Sequence, residues 1–177
     1  MKTTYVIAVV VILLAAGLGS YAYVYEQGQN NGNMSLSVAD LSITGVSAVY
    51  IKFSEVALHK APANGSNSNT PGGWSNYSVS TRTIDILNVT TSNATVLGNI
   101  ALSTGTYTMI KLYITSVTVT ISGVNYTFKL MAPYAFINHP FTISAHSTTN
   151  VMIDFNLVSD MNITSKIFTP NIGITVS

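Results

Sequence analysis

The chain has 177 residues, of which 47% are hydrophobic and only 7% charged, with a net charge of +1 and no cysteine. An ordinary soluble domain carries about 25% charged residues, and here neutral Asn, Thr and Ser fill that place, at 16, 22 and 20 copies. So small a net charge gives no electrostatic basis for binding nucleic acid or an anionic membrane surface, and the missing cysteine excludes disulfides, thiolate chemistry and Cys-based metal sites.

Ten tyrosines and abundant Val and Ile argue against disorder, which requires few aromatic and β-branched residues. A folded chain with so little surface charge needs another source of solubility. Covalent sugar is one, and life in acid, where carboxylates are neutralised anyway, is a second.

The N-terminus, MKTT, is short and weakly basic, and YVIAVVVILLAAGLG follows without a charge. This is the pattern of a secretory signal over residues 1–19. Cleavage after Gly19 would leave Ser20 first; cleavage after Ala22 would leave Tyr23. The uncharged run from Tyr5 to Tyr25 is also long enough to span a bilayer as a retained anchor, with Tyr21, Tyr23 and Tyr25 at the headgroup level. Lys2 places the body outside the cell in both readings. A pilin-like signal cut before the apolar run lacks the usual Gly after a basic residue.

Residues 20–33 read as a tail strand and a connector. Tyr21, Tyr23 and Tyr25 alternate with Ala22, Val24 and Glu26, a period of two; in a helix, residues two apart point about 200° apart. QGQNNGN, Gln27 to Asn33, has no apolar residue and reads as a flexible tether.

The body, residues 34–177, is a succession of alternating segments. Leu36 and Val38 open it. Val49, Ile51 and Phe53 alternate, then the phase slips at Ser54-Glu55 before Val56 and Leu58. The same slip separates Ile110, Leu112 and Ile114 from Val117, Val119 and Ile121. A strand that changes its buried face needs a bulge or a bend, as at the corner of a sandwich. Further strands are expected around Tyr126, Phe141, Ile153 and finally Ile172, Ile174 and Val176, with a long exposed loop over Ala61 to Gly73 and Trp74 packed in the core or against that loop. At least eight short strands at this spacing predict an all-β sandwich of antiparallel sheets.

Asn-x-Ser/Thr sequons begin at Asn33, Asn64, Asn76, Asn88, Asn93, Asn125 and Asn162, seven against about four expected from composition alone. If the chain is exported, several carry glycans, Asn33 in the connector and Asn64 in the long loop being best placed, while a sequon inside a strand risks burial. No enzymatic constellation stands out. His59, His139 and His146 have no metal-pair spacing, and GxSxG, phosphate-loop and HExxH motifs are missing. Asp85 and Asp154 sit inside strand segments, where such residues more often bond nearby backbone than form a catalytic or calcium pair. Lys52 and Lys111 are candidates for an isopeptide crosslink without an evident partner.

SLSVADLSITGVSAVYIKFSEVALHK, TRTIDILNV, LSTGTYTMIKLYI and TTNVMIDFNLV resemble, in the same order, a family of exported bacterial and archaeal domains of unknown function (DUF4382-like), over roughly Met34 to Asp160. Leu41-Ser42 stands where the family pattern usually has a proline. The chain is also similar to archaeal surface thread pilins. The resemblance implies an Ig- or pilin-like β-sandwich displayed outside the membrane, glycosylated and joined head to tail, with a donor strand over Tyr21, Ala22, Tyr23, Val24 and Tyr25 completing the sheet of the next subunit.

The expectation is therefore a structural subunit of an extracellular surface filament, serving adhesion or cell–cell contact. It is not an enzyme, has no cofactor or metal, and its partners are copies of itself. The alternative is a monomeric, membrane-anchored sandwich that binds another molecule, carbohydrate being one candidate, in which Trp74 and Tyr77 form the aromatic pair to test.

Overall fold

The computed structural model describes residues 30–40, 43–62, 72–79, 83–90 and 92–177. They form twelve strands: β1 (Asn31–Asp40), β2 (Ala48–Lys60), β3 (Gly73–Ser78), β4 (Thr83–Asp85), β5 (Thr95–Ser103), β6 (Gly105–Ile121), β7 (Val124–Leu130), β8 (Tyr134–Ile143), β9 (Thr148–Phe155), β10 (Met161–Asn162), β11 (Ile167–Phe168) and β12 (Ile172–Val176). A 3-10 turn covers Ile86–Asn88, and one short helix, α1 (Leu157–Asp160), follows β9.

The strands form two sheets. The smaller has the order β12-β9-β1-β5; the larger runs β10-β11-β7-β6-β2-β3, with β4 also on β2 and β8 also on β6. The expectation of antiparallel sheets needs correction, because β1 runs parallel to β9 and β11 parallel to β7. The turn after β8 explains the first case. It delivers the chain beside the start of β1, where Asn33 N–H bonds Ser147 O at 2.8 Å and His146 N–H bonds Asn31 O at 3.1 Å. Both strands leave from that end and so run the same way.

β1 begins at Asn31, so the last three residues of the expected connector are strand. Gly32 shows why they are held. A Cβ there would lie 2.2 Å from Ser144 O and 2.8 Å from Ile143 Cγ2, a close approach that only glycine permits.

β2 and β6 are the long central pair. Their register is regular from Ala48↔Thr120 to Lys52↔Ser116 and again from Glu55↔Tyr113 to His59↔Met109; between them Phe53 faces Ile114, and Ser54 and Thr115 are skipped. Each strand therefore carries one bulged residue at the same level, and the two cancel. The phase slip visible in the sequence does not move either strand into the other sheet. It restores the inward direction, so Val49, Ile51, Phe53, Val56 and Leu58 line one core with Ile110, Leu112, Ile114, Val117 and Val119. Below the bulge β6 pairs with β8, and above it with β7. The β6–β7 hairpin turns through Ser122 and Gly123, both at positive φ (50° and 79°), the two-residue geometry that matches strand twist.

The core lies between the sheets. Met34, Leu36, Val38, Val151, Ile153 and Phe155 from the smaller sheet are fully buried against Phe53, Leu58, Ile110 and Phe168 from the larger. Phe155 bridges them, its ring 6.0 Å from Phe53 and 6.5 Å from Phe168. Each such side chain contributes about 1.5–3 kcal/mol of burial free energy, and the contact needs no crosslink.

Candidate functional site

The donor-strand residues Tyr21, Ala22, Tyr23, Val24 and Tyr25 and the sequon at Asn64 lie outside the described residues. The other six sequon asparagines, Asn33, Asn76, Asn88, Asn93, Asn125 and Asn162, are all exposed. Three of them lie in longer strands, Asn33 in β1, Asn76 in β3 and Asn125 at the start of β7, and still face solvent, because strand residues alternate sides. Their amides differ. Asn88 Nδ2 donates to Asp85 Oδ2 (2.7 Å), and Asn93 takes the Thr90 N–H and hydroxyl and reaches back to Asn88 O. Asn125 and Asn162 use only Oδ1, accepting from Thr120 Oγ1 and from Ser165 N–H.

Among the described residues the smaller sheet ends on β12 and β5, and the two ends are unequal. Asn150 and Ser177 exchange both backbone bonds, at 2.7 and 3.0 Å, which fixes the alternation of the ladder. Gly173 and Thr175 therefore turn their backbone toward β9, while Ile172, Ile174 and Val176 turn theirs away from it. These same three side chains face the core and are only half-buried. On the other edge, β5, the inward residues Leu97, Ile100 and Leu102 are already buried. β12 carries no charge and no proline, the devices that usually protect an edge. By contrast β8, which pairs with β6 and passes near β12, has Pro140.

Trp74 is 40% exposed, so it is not a core residue; most of the loop expected to pack against it, residues 63–71, lies outside the described residues. Tyr77 is on the opposite side of β3, opposite Val56 and packed against the core, and the Trp74–Tyr77 pairing is thereby overturned. Trp74 instead joins an outward face built by four strands. His59 on β2 stands across from it, ring edge to face at 5.3 Å, and donates to or accepts from Thr108 Oγ1 at 2.9 Å. Lys111 on β6 lays its ammonium 4.3 Å from the Trp74 ring centre and 5.1 Å from that of Tyr134 on β8. Tyr134 in turn meets Tyr113 at 5.6 Å, and Phe136 beside it is 46% exposed. The sequence signal for this face was present but scattered: aromatic residues at the outward positions of strands far apart in the chain.

The acids are dispersed. Asp85 accepts the Val49 N–H at 3.0 Å and closes a turn, while Asp154 lies in the other sheet, so the two form no pair. Desolvation holds the Asp154 carboxyl above its ordinary range. Asp40 and Asp160 are both buried. Asp160 Oδ1 accepts the Asn171 N–H at 2.9 Å and the Ser159 hydroxyl at 3.3 Å, but Oδ2 has no partner among the described residues. Burial, assisted by nearby Asp40, raises its pKa to about 7. Among the described residues no three His, Asp or Glu side chains converge as a metal site, and no helix is long and apolar enough to cross a membrane.

Of the two lysines considered for crosslinking, Lys111 is occupied by aromatic rings, and Lys52 has no bond from its ammonium among the described residues. Lys60, unremarked in the sequence, donates to Ser103 Oγ at 2.7 Å, beside the Tyr107 hydroxyl that donates to Ser103 O at 3.0 Å. This cluster ties the end of β2 to the β5–β6 corner, where Gly105 at φ 137° lies under the Lys60 stem.

Neither a curated protein nor a solved structure matches the chain. A family model does, over residues 31–170, which takes in every strand but β12. With most of its length matched and its sandwich formed within that span, the chain belongs to the family described as Domain of unknown function (DUF4382).

Proposed function

We propose that this chain is an exported, glycosylated subunit of a surface filament, in which the segment Ser20 to Glu26 of one copy adds to the β12 edge of the next. The observation that carries the reading is the state of that edge. Among the described residues, Ile172, Ile174 and Val176 have no ladder partner on the side away from β9, although β8 passes near β12, and their side chains are half-covered in the same row; an alternating strand satisfies both needs at once. Seven residues at about 3.3 Å each reach about 23 Å, enough to run the full length of β12.

Each new ladder bond contributes about 0.5–1.5 kcal/mol, and each apolar side chain fully covered about 1.5–3 kcal/mol. Such a joint needs neither cysteine nor metal. It is heterologous, tail to edge, so it grows an open fibre rather than a closed ring. The uses that follow from a surface fibre are adhesion and cell–cell contact.

The test replaces the donor and the acceptor separately. Removing Ser20 to Glu26 should give monomers by light scattering. Ile174→Pro removes an N–H that points away from β9, a position an edge strand tolerates, and should also give folded monomers. Fibres seen by electron microscopy in either variant would refute donor-strand assembly at this edge.

A further inference from the structure

The outward face of the larger sheet is crossed by a row of residues in register: Asn76 on β3, Ala57 on β2, Lys111 on β6 and Phe136 on β8. Trp74 stands two residues before Asn76 on the same side of β3. Ser78, the hydroxyl of the sequon Asn76-Tyr77-Ser78, stands two residues after it. Among the described residues β3 ends the sheet order, with no strand on its far side, and no bond holds the Asn76 amide. Of the six described sequons this one alone has a large exposed aromatic ring two residues away on its own strand face.

We propose that Asn76 carries an N-linked glycan whose first sugars lie back across this face, over Trp74 and the Lys111 ammonium toward Phe136. In the transfer, the Asn76 amide nitrogen bonds to the anomeric carbon of a lipid-phosphate-linked oligosaccharide. The bond from that carbon to the phosphate oxygen breaks, the phosphate leaves with the electron pair, and the amide gives up one proton to a base of the transferase. The seated sugar turns its C–H face to the indole ring, which buries apolar area, and its hydroxyls accept from the lysine. An exposed Trp and Phe on a chain with so few charges form a patch that invites association. A covalent sugar on the same face covers it permanently. The inference needs the access to a glycosyltransferase that export provides, but it does not need polymerisation.

Trp74 is the sole tryptophan, so its fluorescence reads this contact directly. The full chain is taken from its native cell surface, with site occupancy measured by mass spectrometry and Trp74 emission quenched with acrylamide. A bulky glycan occludes surface, so Asn76→Gln should raise the quenching constant by about twofold and shift emission to the red. Ser78→Ala, which leaves the asparagine in place but removes the acceptor hydroxyl, should do the same. A chain modified at other sequons but bare at Asn76 overturns the inference alone; a chain bare at every sequon overturns it together with the reading of export to a glycosylating surface. An occupied Asn76 whose loss leaves Trp74 quenching unchanged overturns the seating of the sugar.

Discussion

Asp160 is buried to 1% exposure with one carboxyl oxygen unpaired and Asp40 nearby, and a carboxylate in that position is costly to ionise. Its pKa rises from 3.8 to about 7, so between those values the folded chain holds a proton that the unfolded chain has released. Stability therefore falls as pH rises through that window, by about 4 kcal/mol for a shift of this size. The full contribution is present below about pH 4, where unfolded Asp is itself protonated. Asp160→Asn keeps the acceptor for Asn171 N–H and Ser159 and cannot ionise. Denaturant melts should show the wild type more stable at pH 4.5 than at pH 7.5 and the variant nearly level. Asp154, also raised by desolvation, leaves a shallower slope of the same sign. Equal slopes in the two proteins would show that Asp160 ionises freely in the folded state. The composition suggested life in acid only in general terms; which acid is buried depends on α1 folding over Asp40, and no local pattern announces that.

At the scale of elements, the strands were legible because one buried face imposes a period of two. The phase slips in β2 and β6 were visible as well, but their meaning was not. A slip read along one strand is compatible with a change of sheet or with a bulge that restores phase, and only the facing strand decides between them. Here Ser54 and Thr115 are skipped together, so each compensates for the other. Deleting Thr115 alone shifts everything beyond it by one residue and turns either Val117 and Val119 or the paired residues of β2 away from the core. The loss should reach several kcal/mol, comparable to truncating a buried Val or Leu. Deleting Ser54 and Thr115 together leaves both strands alternating through that level in their original register. The double deletion should unfold at a higher denaturant concentration than either single one, a favourable coupling well beyond additivity. If the double deletion is as damaging as the sum of the singles, the bulges have a role other than mutual compensation. The parallel pairing of β1 with β9 was hidden for the same reason: strand direction depends on where a distant turn delivers the chain, not on the strand's own pattern.

At the scale of the molecule, the proposed joint has two different ends, and that asymmetry makes a stronger claim than the existence of fibres. A copy without Ser20 to Glu26 keeps its β12 edge, so it accepts a neighbour's tail but donates none. An Ile174→Pro copy keeps its tail but lacks an outward N–H in the acceptor row, so it donates but does not accept. Each variant should therefore cap a growing fibre of wild-type subunits, and at opposite ends. Mixed at about one part in twenty with wild type, either should shorten fibres toward a mean of about twenty subunits if growth adds single copies at an open heterologous contact. The double variant has neither function and should leave fibre length unchanged at the same ratio. Electron microscopy of fibre lengths separates the cases. Shortening by the double variant would mean that the subunits meet through a surface other than the tail and the β12 edge.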